Sequence, residues 1–228
     1  LTAVAEAGRP VFQHLFDTMN NGAGFSPDAA SAGRRALRNS ALGYLTYAEQ
    51  SPVRAAEAFA SADNMTDLVQ ALSVLAHRFP EAEEADAALG AFVTRFDDNP
   101  LVIDKWLSVQ ATIPGAGALD RVKALMENRH FVASNPNRVR ALVGSFAFSN
   151  PTGFNRADGE GYRFLAERIL AIDPKNPQLA ARLLTSMRSW RSLEPVRADH
   201  ARAALLTIDR SVQLSSDVRD IVDRMLKG

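Results

Sequence analysis

Apolar residues recur along this chain at intervals of three and four positions, the spacing of one face of a helix. The clearest apolar stripe consists of Ala85, Ala88, Leu89, Phe92, Val93 and Phe96. The segments 65–76, 37–48 and 218–225 carry the same pattern. The sequence has no sustained alternation of apolar and polar residues and no Asn-Gly or Asp-Gly turn between strand-like segments. The pattern therefore predicts an all-α protein.

Proline residues mark several of the predicted helix starts. A residue with a side-chain oxygen precedes each proline in Ser51-Pro52, Asn99-Pro100, Asn135-Pro136 and Asn176-Pro177. Such an oxygen accepts a hydrogen bond from a backbone N–H that has no partner within the helix. Proline suits the first helical position because it has no N–H, and an N–H there would be unpaired. We predict helices that begin near residues 2, 28, 52, 65, 81, 100, 118, 136, 160, 177, 195 and 216. The segments 115–117 and 150–153 are predicted to be loops.

Many short helices with short connections favour antiparallel neighbours. Stacked in order, they predict a right-handed superhelix of armadillo or HEAT-like repeats. No repeat of fixed period is visible, so these repeats are degenerate. The sequence shows no linker, and we expect a single domain over residues 1–228.

Composition narrows the classes of function. The 228 residues include 26 Lys and Arg, 26 Asp and Glu and no cysteine. Zero net charge disfavours nucleic acid as a partner, since nucleic-acid-binding proteins carry a basic excess. No apolar run approaches the roughly 18 residues that a membrane-spanning helix needs, so no membrane partner is expected. Disulfides and cysteine nucleophiles are excluded.

No catalytic or metal-binding motif is present. The four histidines are isolated, and none forms an H-E-x-x-H zinc helix. The segment 154–159 has an Asp-Gly pair like that of a calcium loop, but Phe154 and Arg156 occupy its first and third ligand positions. We predict no catalytic residue, no metal ligand and no cofactor in this chain.

Some side chains admit two interpretations. Trp106 and Trp190 are either interface anchors or core residues, and core packing is favoured for Trp106 by its apolar neighbours. Arg34, Arg35 and Arg38 either dock an acidic surface or form a solvated face with local ion pairs.

Arg140 and Arg182 are the candidate binding residues. Arg140 lies beside the apolar stripe of its helix, on a flank shared with Gly144 and Ala147, which leaves room for a neighbouring helix or a ligand. Arg182 points away from the stripe of its helix. From these patterns alone, each is interpreted as an ordinary surface arginine.

Several short segments are more specific than a helical stripe requires. They are 34–39, 63–67, 101–106, 135–140 and 176–178, with sequences RRALRN, DNMTD, LVIDKW, NPNRVR and NPQ. Their order and spacing resemble the C-terminal helical domain of bacterial aminopeptidase N (alanyl aminopeptidase), a zinc enzyme of the gluzincin class. The resemblance runs from about Ala32 to the C-terminus.

The resemblance implies that this chain is a non-catalytic part of a cytoplasmic peptidase that removes N-terminal amino acids. The zinc ion would lie in another domain, whose H-E-x-x-H and G-A-M-E-N motifs are absent here. The helical domain would cap that site and line the peptide chamber, so its partners would be the other domains and peptide substrates. Arg140 and Arg182 match arginines of the family pattern and are expected to face the chamber.

The alternative is a free-standing helical-repeat scaffold that binds another protein. The first residues, Leu1-Thr2-Ala3, show neither an initiator Met nor a secretory signal. We therefore expect a processed or excised fragment.

Overall fold

The computed structural model describes residues 1–20, 22 and 24–227. No strand occurs in this part of the chain, and the predicted all-α class is confirmed. The contacts divide into two compact units, Leu1–Val109 and Gln110–Gly228. Nothing in this division tests the predicted single domain, which stays a prediction.

The first unit is built from helices that pack mainly against their neighbours in sequence. Its helices are α1 (Thr2–Ala7), α2 (Arg9–Thr18), α3 (Ala29–Glu49), α4 (Val53–Ser61), α5 (Met65–Arg78), α6 (Glu83–Arg95) and α7 (Pro100–Ala111), the last of which crosses the division. α3 packs on both α2 and α5, and α5 also packs on α4 and α6. Trp106 is buried, and its indole N–H donates to the Leu89 carbonyl at 3.1 Å, so it is a core residue.

The second unit has a less regular beginning and a regular helical end. Its elements are α8 (Ala118–Met126), α9 (Pro136–Val139), a π-turn (Arg140–Gly144), α10 (Ser145–Ser149), α11 (Pro151–Phe154), α12 (Glu160–Ile172), α13 (Pro177–Leu184), two 3₁₀ turns (Thr185–Met187 and Trp190–Ser192), α14 (Pro195–Asp209) and α15 (Ser216–Lys227). α12 packs against α13 and α14, and α15 closes over both of these helices. Trp190 is buried and donates to the Met225 carbonyl at 3.1 Å.

Asparagine side chains cap four of the predicted helices, including the one that begins at Pro100, where Asn99 accepts the Val102 N–H at 3.3 Å. The side-chain oxygen of Asn64 accepts the Asp67 N–H at 3.1 Å, and that of Asn176 accepts the Leu179 N–H at 3.0 Å. Asn135 accepts the Asn137 N–H at 2.9 Å. Each cap supplies an acceptor to an otherwise free backbone donor.

Two features of the helix pattern differ from the prediction. The first predicted helix is interrupted at Gly8, and a second helix begins at Arg9 with Pro10 in its first turn. The predicted loop 150–153 is wrong, since Pro151–Phe154 forms a short helix.

Asn150 holds this short helix in place through hydrogen bonds at both ends of its side-chain amide. Its side-chain oxygen accepts the Gly153 N–H at 3.0 Å, while its amide donates to the Ala111 and Ile113 carbonyls at 3.0 and 2.9 Å.

Candidate substrate-binding face

The helices that begin at Pro136 and Pro177 line a common cavity of about 260 Å³ in the second unit, the first through Pro136 and Val139 and the second through Asn176 and Leu179. Further along, Gly144 approaches Leu183, so the two helices run in the same direction. Pro136 and Pro177 are 41 positions apart, a separation within the range of HEAT and armadillo repeats. This separation agrees with the degenerate armadillo or HEAT-like repeats that the sequence predicts.

Gly144 faces Leu183 on the second of these two helices. A Cβ atom at Gly144 would lie 3.7 Å from the Leu183 side chain, which is ordinary contact. The sequence left open whether a helix or a ligand approaches the small residues beside Arg140. At Gly144 it is the neighbouring helix.

Arg140 begins a π-turn. The N–H of Ser145 donates to the Arg140 carbonyl, five residues earlier instead of four. Such turns insert one residue into a helix and occur frequently at functional sites. No periodicity in the sequence signals this turn, and its residues from Ala141 to Gly144 are buried.

The side chains of Arg140 and Arg182 are both exposed. Arg140 donates one hydrogen bond, from Nη1 to the Asn137 side-chain oxygen at 2.8 Å. The guanidinium carbon of Arg182 lies 5.4 Å from the ring centre of Phe148, a cation–π distance. No described contact joins Arg140 to Arg182 directly.

Phe148 is a site residue that the sequence analysis missed. It lies one turn after Gly144, as Arg140 lies one turn before it, and its side chain is 46% exposed. An exposed aromatic ring beneath a guanidinium holds the cation in place without neutralising it. We call Arg140, Phe148 and Arg182 the arginine face.

A cavity of about 320 Å³ adjoins the arginine face at Phe148. Its walls include Phe148, Tyr162, Met187 and Trp190. Burial raises the pKa of the Tyr162 hydroxyl to about 12, so the phenol is neutral at physiological pH. This hydroxyl donates to the Asn155 side-chain oxygen at 3.0 Å. The cavity therefore presents aromatic rings and polar side chains together, and Thr185, Ser186 and Ser189 are among the other polar residues that line it.

The described residues contain no group of three or more His, Cys, Asp or Glu side chains arranged to hold a metal ion. In the segment that resembles a calcium loop, Arg156 pairs with Asp158 at 2.6 Å and lowers the pKa of that carboxyl to about 2. No helix among these residues has both the length and the apolar character to cross a bilayer.

Comparisons with known proteins identify relatives of this arrangement of helices. The family model described as "Domain of unknown function (DUF3458_C) ARM repeats" matches residues 1–227. Aminopeptidase N of Caulobacter vibrioides is 40% identical over 219 residues, which are 95% of this chain and 25% of the relative. Aminopeptidase N of Escherichia coli is 37% identical over 196 residues, which are 85% of this chain and 22% of the relative.

A solved structure agrees with these relatives. Legionella pneumophila aminopeptidase A, crystallised in complex with aspartic acid, matches with a TM-score of 0.88 and 32% identity over 99% of this chain and 27% of its own. The chain thus spans about a quarter of the relatives that it matches. The scaffold alternative receives no better support from these comparisons. The resemblance to the C-terminal helical domain of bacterial aminopeptidase N is confirmed, and the chain belongs to the DUF3458_C family of armadillo-repeat domains.

Proposed function

We propose that this chain is the helical, non-catalytic part of a zinc aminopeptidase, where it caps the active site and lines the peptide chamber. The observation that carries the proposal is the match of nearly the whole chain to about a quarter of two aminopeptidase N sequences. A cytoplasmic location is proposed on the same resemblance.

Zinc is assigned to another part of the full-length protein. This chain contains neither H-E-x-x-H nor G-A-M-E-N, and its four histidines are dispersed in the sequence. Its residues do not fit a catalytic zinc site, which takes three protein ligands. The contribution of this chain is therefore to bind and orient the peptide.

The arginine face supports a role in peptide binding. A guanidinium group offers a planar fork of donors that matches a carboxylate, and its charge persists at every physiological pH. Arg140 and Arg182 make no ion pair among the described contacts. A peptide whose amino end lies at the catalytic centre directs its carboxyl end away from that centre. We assign Arg140 and Arg182 to this carboxyl end.

The cavity beside Phe148 gives the bound peptide a place for a side chain. Its walls include the aromatic residues Phe148, Tyr162 and Trp190 together with the polar residues Asn155 and Arg188. Burial of the apolar part of a peptide side chain in this cavity stabilises the complex in proportion to the area removed from water.

The test compares peptide and reporter substrates in the full-length protein. Arg140→Ala and Arg182→Ala are each expected to raise KM for a tripeptide with a free carboxyl group by about tenfold, with little change in kcat, because a charged hydrogen bond contributes about 1.5–3 kcal/mol. The same tripeptide with an amidated carboxyl end should show a much smaller effect. Aminoacyl reporter amides, which lack the distal residues, should be hydrolysed almost as before.

Arg202→Ala is the matched control, since Arg202 is an exposed arginine of α14 outside the arginine face. It should leave all three substrates unaffected. Unchanged tripeptide kinetics in both face variants, with the fold intact, would show that Arg140 and Arg182 are ordinary surface residues.

A further inference from the structure

Three arginines of α3 converge on a second, smaller site in the first unit. Arg34, Arg35 and Arg38 line a cavity of about 70 Å³, which Asp63 and Asp67 also line. All three arginine side chains are half-buried. We call these three residues the arginine cluster.

Neutral groups hold the guanidinium groups in place. Arg34 donates to the Ser31 hydroxyl at 2.7 Å. Arg35 donates to the Ser26 carbonyl at 2.8 Å, and its guanidinium carbon lies 4.7 Å from the centre of the Phe25 ring. These contacts orient the guanidinium groups without forming an ion pair.

Arg38 is held by the Phe16 ring, 4.6 Å from its guanidinium carbon. Arg54 also lies near Phe16, but unlike Arg38 it forms an ion pair, with Glu49 at 2.5 Å. Among the described residues, no carboxylate lies at ion-pair distance from any member of the arginine cluster. The Nε atoms of Arg35 and Arg38 are buried and have no hydrogen-bond partner.

Asp63 and Asp67 are engaged by amides instead. The Asn39 amide donates to Asp67 at 2.8 Å, and the Asn64 amide donates to Asp67 and to Asp63, each at 2.9 Å. The lining of the cavity therefore holds three positive and two negative charges. One positive charge is left without a counterpart.

We propose that the arginine cluster binds a single carboxylate group. A carboxylate carries the one negative charge that balances the cavity, and its two oxygens match the fork of a guanidinium. The two aspartates would repel a phosphate, which carries more negative charge. The volume of the cavity fits a small group and excludes a folded segment. The ligand is accordingly a carboxylate at the end of a side chain or of a peptide.

The test follows the arginine Nε–Hε signals of this chain by NMR at constant ionic strength. Sodium acetate should shift the signals of Arg34, Arg35 and Arg38 and saturate with a dissociation constant of about 1–20 mM, within the limit for so small a ligand. Acetamide, the neutral isostere, should leave them in place. Inorganic phosphate should bind more weakly than acetate.

Two further probes distinguish the sources of the carboxylate. Acetyl-glycine carries only a main-chain carboxylate, and acetyl-aspartyl-amide carries only a side-chain carboxylate. Saturable binding of either supports the site, and the tighter of the two identifies the source. Failure of both, together with acetate, overturns the proposal.

Substitutions give an independent measure. Arg35→Gln and Arg38→Gln should each weaken acetate binding by about tenfold, as expected for loss of a charge-assisted hydrogen bond. Arg202→Gln removes an equal charge at an exposed position on α14 and should change the dissociation constant for acetate by less than about twofold. Equal shifts with acetamide, tighter binding of phosphate, or equal weakening by Arg202→Gln would each refute a carboxylate site.

Discussion

The arginines of this chain differ in whether a carboxylate lies beside the guanidinium group. Arg54 forms a fork with Glu49, with Nε to the two carboxylate oxygens at 3.0 and 2.9 Å. The hydrogen bond from Arg54 lowers the pKa of the Glu49 carboxyl below its ordinary value of 4.5. Arg140 and Arg182, by contrast, have an amide oxygen and an aromatic ring as their described contacts. An arginine without a carboxylate partner is the one available to an anionic ligand.

Glu49→Gln tests the compensated case. Pairing with Arg54 lowers the pKa of Glu49 in the folded state below its unfolded value of 4.5. The ionised carboxyl therefore stabilises the folded protein fully at pH values above 4.5. This stabilisation is lost as the pH falls through the lowered pKa of the folded state. We expect the substitution to lower the free energy of unfolding by about 1 kcal/mol at pH 7. Urea unfolding of both proteins should show this difference shrinking progressively below about pH 4.5. Glu127→Gln, on an exposed residue at the end of α8, is the control, and a difference at Glu49 that is independent of pH would contradict the assignment.

At the scale of elements, apolar spacing and cap residues predict most of the helices. α5 begins at Met65 and α13 at Pro177, as the Asn caps indicate. The break at Gly8 was missed because the apolar pattern continues across it. The helical turn after Asn150 was missed because it depends on acceptors some forty residues away in sequence, the Ala111 and Ile113 carbonyls.

The candidate site was less predictable than the helices that carry it. Only the resemblance points to Arg140 and Arg182, because periodicity by itself predicts ordinary surface residues at these positions. The π-turn at Arg140 is defined by the backbone hydrogen bond from Ser145, and the contact of Phe148 with Arg182 joins two helices. Neither leaves a signal within its own segment of sequence.

Phe92→Ala measures how much one apolar stripe contributes to stability. Phe92 is buried on α6, and its ring packs at 5.1 Å from that of Phe96. Truncation should lower the free energy of unfolding by about 3–5 kcal/mol, the sum of lost burial and the cavity left behind. Leu101→Ala is the control, because Leu101 is apolar but 69% exposed on α7. Chemical denaturation of both variants checks the difference, and a loss below about 1 kcal/mol at Phe92 would mean that its packing contributes little.

At the scale of the whole molecule, the chain is a neutral helical array that matches one part of larger enzymes. Its relatives are about four times longer, and the motifs of the catalytic zinc site are absent from its sequence. The arginine face in the second unit and the arginine cluster in the first each offer positive charge to a carboxylate. Both sites are proposals, and both assign to this chain the recognition of a carboxylate, which agrees with the proposed role in positioning the peptide.

The isolated chain is expected to have no peptidase activity of its own. Purified alone, it should release no amino acid from alanyl or other aminoacyl reporter substrates, with or without added zinc, since a hydrolytic zinc site needs three protein ligands and an activated water. The full-length protein in the same assay is the positive control. Turnover by the isolated chain should be measured before and after a second purification. A contaminating peptidase would be depleted by that step, so turnover that comes from it would fall. Zinc-dependent turnover that persists at constant specific activity would place a catalytic centre within these 228 residues and would refute the assignment of this chain as a non-catalytic domain.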